Sequence, residues 1–113
     1  MHELSLIQSA LDIAVEHARN AGAERIVSMT LRIGAMSAVV PDALEFAFEV
    51  LKADTIAVDA SLVIDTVPVV CRCAHCDREF EAHDIIFACP TCGKRSADVR
   101  SGRETELSSM EVA

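Results

Sequence analysis

The chain has 113 residues, 51% of them apolar but with no Trp or Tyr, and eighteen acidic against ten basic residues give a formal net charge of −8. A chain of this length carries one main core and at most a small satellite, which excludes a third domain. The acidic balance opposes counterion-release binding to phosphate backbones, and no apolar window is long enough to cross a bilayer, so neither nucleic acid nor membrane is expected as a partner.

In chain order, Leu4, Ile7, Leu11, Ala14, Val15 and Ala18 recur at helical spacing, and Asn20 to Gly22 supplies a stop. Val27 to Ile33 alternates apolar and polar residues and ends at Gly34, the pattern of a strand with one buried face. Pro41 opens a second helix with Leu44, Ala47, Phe48 and Leu51 on one face. Its missing N–H costs little there, and Asp42 suits the positive helix end. Leu62 to Val70 is rich in β-branched residues and predicts a strand, interrupted only by Pro68, that leads into the cysteine segment. After Gly102, the tail from Glu106 to Val112 can return as a third strand. The expectation is an α+β fold: two helices packed on a small three-stranded sheet, formed by residues 1–69 and completed by 103–113, with a zinc-ribbon module at 70–102.

Cys73 Ala74 His75 Cys76 and Cys89 Pro90 Thr91 Cys92 Gly93 are two C-x-x-C units twelve residues apart. Zinc prefers four tetrahedral soft ligands, and each C-x-x-C turn offers two thiolates on one side of an ion, so two turns close the sphere. A site filled by four sulfurs leaves no position for water or substrate, which makes this zinc structural rather than hydrolytic. Gly93 allows the backbone to turn back at positive φ. The segment from Arg72 to Lys94 has little aliphatic density and needs the metal as its core, with Phe80, Ile85 and Phe87 as a small apolar seam.

The competing readings are unligated cysteines in a loop and a redox pair, but thiol exchange needs only one C-x-x-C at a helix start. Cys71 shares a strand face with Cys73, either as a small buried residue or as a substitute ligand. His75 and His83 are expected at the surface or behind the ligands, with replacement of a thiolate or tuning of the site as the alternative, and His17 on the solvated face of the first helix. Paired cysteines suit thiolate ligation in a reducing compartment, and the amino terminus lacks the basic flank and apolar stretch of a signal peptide. A cytoplasmic location is therefore expected.

Met1 His2 Glu3 places an imidazole beside a free amine and backbone amides, a nitrogen set that suits square-planar nickel(II) or copper(II). Taken alone, the signal is weak, since a histidine at position two is usually just part of a frayed terminus. The order of Met1 His2 Glu3 Leu4 Ser5 Leu6, Leu31 Arg32 Ile33 Gly34, Pro41 with Leu44 Glu45 Phe46 Ala47 Phe48, the two cysteine pairs, and Met110 Glu111 Val112 resembles the HypA/HybF family. These are the nickel-delivery accessory proteins of [NiFe]-hydrogenase maturation. The likeness spans nearly the whole chain. It departs from the family pattern at Lys52 Ala53 Asp54 Thr55, where a Gly is expected before the Thr.

The resemblance implies a nickel-binding α/β domain and a zinc ribbon that act with a GTPase to place nickel in a hydrogenase large-subunit precursor. A homodimer is compatible with it. His2 carries over as the nickel ligand, Glu3 as its neighbour through the backbone nitrogen or partner binding, and Cys73, Cys76, Cys89 and Cys92 as the zinc ligands. No catalytic residue carries over, since a metallochaperone is not an enzyme. The alternative function is a zinc-ribbon interaction or regulatory module that handles no second metal, and nickel titration separates the two.

Overall fold

The computed structural model describes residues 3–83 and 86–113. The elements follow the order α1 (Glu3–Asn20), β1 (Ile26–Gly34), α2 (Pro41–Leu51), β2 (Ser61–Val67), β3 (Val70–Cys73), β4 (Arg78–Glu81), β5 (Val99–Ser101) and β6 (Thr105–Val112). They form two three-stranded sheets, with strand orders β2-β1-β6 and β4-β3-β5. The chain divides into two compact units: residues 1–32, 38–65 and 105–113, and residues 33–37 with 66–104.

In the first unit α1 buries Ile7, Leu11, Ala14 and Ala18 of the expected stripe, adds Leu6 and Ala10 to it and leaves Val15 half-buried. Leu4 departs from the stripe. Although in phase with Ile7 and Leu11, it is 56% exposed. The helix closes on a Schellman turn. The N–H of Ala23 reaches the carbonyl of Ala18 at 2.9 Å, that of Gly22 reaches Arg19 at 3.0 Å, and Gly22 takes φ +73°. α2 starts at Pro41 and turns Leu44, Ala47 and Phe48 inward against α1.

β1 buries Met29 and Leu31 in the expected alternation, but at its start Ile26 is buried and Val27 exposed. The N–H of Ile26 bonds to the carbonyl of Ile56 at 2.9 Å, so this end is set by a backbone tie rather than by the period. The tail does return as a strand. Glu106 pairs with Arg32 at 3.2 Å, the hydroxyl of Ser108 donates to the Thr30 carbonyl, and Ala113 exchanges backbone bonds with Arg25, so β6 runs opposite to β1.

The loop after α2 closes without the expected glycine. The N–H and hydroxyl of Thr55 both donate to the Lys52 carbonyl, at 3.0 and 2.8 Å, and the Thr55 hydroxyl oxygen accepts the Ala57 N–H. The Lys52 ammonium donates to the Ala60 carbonyl at 2.9 Å, pairs with Glu49 at 3.1 Å and lies 5.1 Å from the Phe48 ring centre. Side-chain bonds thus do the work of a glycine turn.

The strand expected over Leu62 to Val70 is two strands. β2 ends at Val67, before Pro68, and β3 opens at Val70 in the other sheet. Proline has no N–H for the ladder, so the chain changes sheets there. In the second unit β3 pairs antiparallel with β4, setting Cys71 opposite Phe80 and Cys73 opposite Arg78, and with β5 on its other edge. Val69, Cys71, Cys73, Phe80 and Cys89 form its buried cluster, with Phe87 partly covered against them. Ile85, the third residue of the expected seam, lies outside the described residues.

Candidate metal centre

Each knuckle is a tight turn closed by its own backbone. After β3, Cys73 to Cys76 form the first, where the Cys76 N–H donates to the Cys73 sulfur at 3.5 Å and Asp77 takes the left-handed conformation at φ +53°. In the second, the Gly93 N–H donates to the Cys89 carbonyl and the Cys89 N–H to the Lys94 carbonyl, both at 2.8 Å, and Gly93 takes φ +75°. Glycine meets this requirement without strain, and aspartate tolerates it better than most residues.

The turns aim four sulfurs at one point. Sγ of Cys73 lies 3.6 Å from Sγ of Cys92 and Sγ of Cys76 lies 3.9 Å from Sγ of Cys89, with all four within 4.8 Å of one another. Four Zn–S bonds of about 2.3 Å in a tetrahedron require sulfur–sulfur edges of about 3.8 Å, so the set fits zinc with small adjustments. Cys73 and Cys89 are buried and Cys76 and Cys92 partly so, leaving a closed set with no position for a substrate. Among the described residues no other group of His, Cys, Asp or Glu gathers in this way.

Cys71 is not in the set. It is fully buried on the same face of β3 as Cys73, and burial, with Asp98 nearby, pushes its thiol up, as befits an uncharged packing residue. His83 and His17 are exposed. His75 is also exposed, with its Nδ1 3.4 Å from the Lys94 ammonium. That contact and a hydrogen bond from Arg78 to the Thr91 hydroxyl tie one knuckle to the other, while Arg72 pairs with Asp77. No sequence signal marks these pairs. They bring Arg72, Arg78 and Lys94 to the surface around the knuckles.

The thiols are not equivalent. Burial, reinforced by hydrogen bonding with Cys92, Cys89 and Cys73, pushes Cys76 up to about 12. Cys89 falls to about 6, chiefly because the backbone N–H of Cys92 donates to its sulfur, with the Thr91 N–H adding to this and burial opposing it. At neutral pH a metal therefore meets a ready thiolate at Cys89 and must displace the proton of Cys76. Lower pH disfavours binding. Zinc affinity should fall by at least about tenfold per pH unit as pH is lowered, because binding must displace the proton that burial and the neighbouring sulfurs hold on Cys76. Competition with a chromophoric chelator over a pH series measures this, and an affinity independent of pH above 6 would contradict it.

Of the amino-terminal candidates, His2 lies outside the described residues and Glu3 is the first residue of α1. The first amides of a helix have no intrahelical acceptor, so metallating the Glu3 nitrogen breaks no helix hydrogen bond. A deprotonated amide is also an anion at the helix end where negative charge is favoured.

Residues 1–112 match the family described as hydrogenase/urease nickel incorporation, metallochaperone, hypA. Hydrogenase maturation factor HypA of a Picosynechococcus species is 47% identical over 112 residues, covering 99% of each chain. The protein of the same name from Geobacter metallireducens is 41% identical over the same share. The solution structure of the Ni metallochaperone HypA from Helicobacter pylori aligns with a TM-score of 0.72 at 28% identity, over 99% of this chain and 97% of that one.

Proposed function

The chain belongs to the HypA family of nickel-incorporation metallochaperones, and from that premise we propose that it takes up Ni(II) at His2 and Glu3 while Cys73, Cys76, Cys89 and Cys92 hold a structural zinc ion. The observation that carries this reading is the single family match over residues 1–112, which takes in Met1 His2 Glu3 and both cysteine pairs in one frame. The His2 imidazole supplies the side-chain ligand and the Glu3 backbone nitrogen a second donor, at the helix end where losing an amide proton costs least. The nickel is cargo. It passes, with a GTPase acting alongside, to a hydrogenase large-subunit precursor in the cytoplasm.

The zinc, when bound, supplies no chemistry beyond joining the two knuckles, since four sulfurs fill its sphere. Titration calorimetry of the zinc-loaded chain with nickel tests the reading. His2→Ala should abolish tight nickel binding, an effect larger than the roughly 10–100-fold that loss of a partner behind a ligand costs, and leave one zinc per chain by metal analysis. Equal nickel affinity in the parent and His2→Ala would return the chain to the zinc-only alternative.

A further inference from the structure

The whole formal charge of −8 lies in the first unit, where twelve acidic residues face four basic ones, while the second unit carries six of each. That unit also leaves apolar surface open. α2 buries Leu44, Ala47 and Phe48 but turns Phe46 and Val50 outward, 63% and 55% exposed, and Leu4 of α1 is 56% exposed. These are not scattered residues. Leu4, Ala43, Phe46, Ala47 and Val50 line one open groove of about 680 Å³, with Glu3 also in its lining. Phe46 and Val50 stand four apart on a helix, so they form a stripe on one face.

Carboxylates rim that stripe. Asp42, Glu45 and Glu49 are all exposed on α2 around Phe46, and Glu49 pairs with Lys52. Glu3, Asp42 and Glu45 have no cationic partner among the described residues. A second copy of this chain would bring the same carboxylates against themselves across a two-fold axis, so like charge opposes a symmetric pairing through this face. A partner that fits must be apolar in the middle and basic at the edges.

The geometry points to this groove as a docking site for an amphipathic, Lys/Arg-flanked segment of another protein, seated helix-in-groove with its apolar side chains against Phe46, Val50 and Leu4. The segment would lie beside Glu3, one residue from His2 in sequence, so a partner could occupy the groove next to the cargo-binding residues. The inference goes beyond nickel capture and does not depend on it.

Because the chain has no Trp, fluorescence of a single Trp placed in a synthetic peptide reports binding directly. The probe is an amphipathic peptide with that Trp among leucines at i, i+3, i+4 and i+7 and lysines and arginines at the flanks, titrated with zinc-loaded, nickel-free full-length protein. The basic peptide should bind saturably with a blue shift, at least about tenfold more tightly than a glutamate-flanked peptide of the same leucine pattern. Phe46→Ser and Val50→Ser should each weaken it by about tenfold with circular dichroism unchanged, because both side chains stand outside the core. A peptide with the same charge but serines for leucines should give no blue shift. Equal binding by the parent and both variants, or by basic and acidic peptides, would overturn the inference. So would a sedimentation dimer of the parent that Phe46→Ser dissolves, since a second copy would then own the face.

Discussion

Removing zinc with a chelator, or replacing Cys73 or Cys92 with Ala, should unfold the second unit while the first keeps its helices. The size of the effect follows from what fills each core. The first unit buries Ile7, Leu11, Ile26, Met29, Leu31, Leu44 and Phe48 at under 2% exposure, an aliphatic core of ordinary kind. The buried cluster of the second has one aromatic, Phe80, one valine and three cysteines, of which Cys73 and Cys89 belong to the sulfur set. At roughly forty residues such a unit is near the size below which a metal or disulfide is usually required. Structural zinc supplies about 10–16 kcal/mol at neutral pH, comparable to or larger than the net stability of about 5–15 kcal/mol of a whole domain.

Hydrogen exchange locates the loss. The amides of Ala82, Cys89 and Gly93, bonded to the carbonyls of Val69, Lys94 and Cys89, should lose most of their protection in the zinc-free protein or in Cys92→Ala. Amides within α1 should keep theirs. Unchanged protection across Arg72 to Lys94 would mean that the apolar cluster alone holds the unit together.

The elements that were legible in the sequence are those in which one local rule dominates. α1 and α2 follow a period set by burial, and the cysteine pairs converge because each C-x-x-C turn can present sulfur in few ways. The burial of Cys71 beside Cys73 follows from the two-residue repeat of a strand. Rules break where two compete. At Pro68 the β-branched run continues but the ladder cannot, so the strand divides. At Leu4 the helical period continues but the core has ended, and the side chain lines an open groove instead. The expected glycine before Thr55 is replaced by hydroxyl and ammonium bonds that no pattern of residue types announces. The ties from Arg78 to Thr91 and His75 to Lys94 are equally silent, because they join residues thirteen and nineteen apart only after the knuckles have formed.

Gly34→Ala should be among the most damaging single substitutions in the chain, although Gly34 reads in the sequence only as the end of a strand. Within the second unit the segment 33–37 lies against the turn at Gly102. The Gly34 N–H donates to the Glu104 carbonyl at 2.7 Å, the Met36 N–H to the Gly102 carbonyl at 2.8 Å, and the Gly102 N–H to the Glu104 carboxylate at 2.7 Å. A Cβ on Gly34 would overlap the carbonyl carbon and oxygen of Gly102 and come within 2.5 Å of the Arg103 nitrogen. All three are backbone atoms, so no side chain can swing aside.

Gly102 cannot yield toward the other side either. It sits at φ +112°, with the space its own Cβ would occupy only 2.8 Å from Cα of Val69. The two strands of chain must therefore separate, losing backbone hydrogen bonds worth about 1 kcal/mol each on top of an overpacking cost of about 1–3 kcal/mol. A total loss of about 3–5 kcal/mol is expected for the zinc-loaded protein. Gly22→Ala is the control. A Cβ there meets nothing within 4 Å, so only the left-handed φ of +73° is penalised, at about 1–2 kcal/mol. Thermal denaturation of both variants, with exchange of the Met36 amide as the local readout, decides the matter. If Gly34→Ala proved no more destabilising than Gly22→Ala, the close approach of Gly34 and Gly102 would not be what holds this turn.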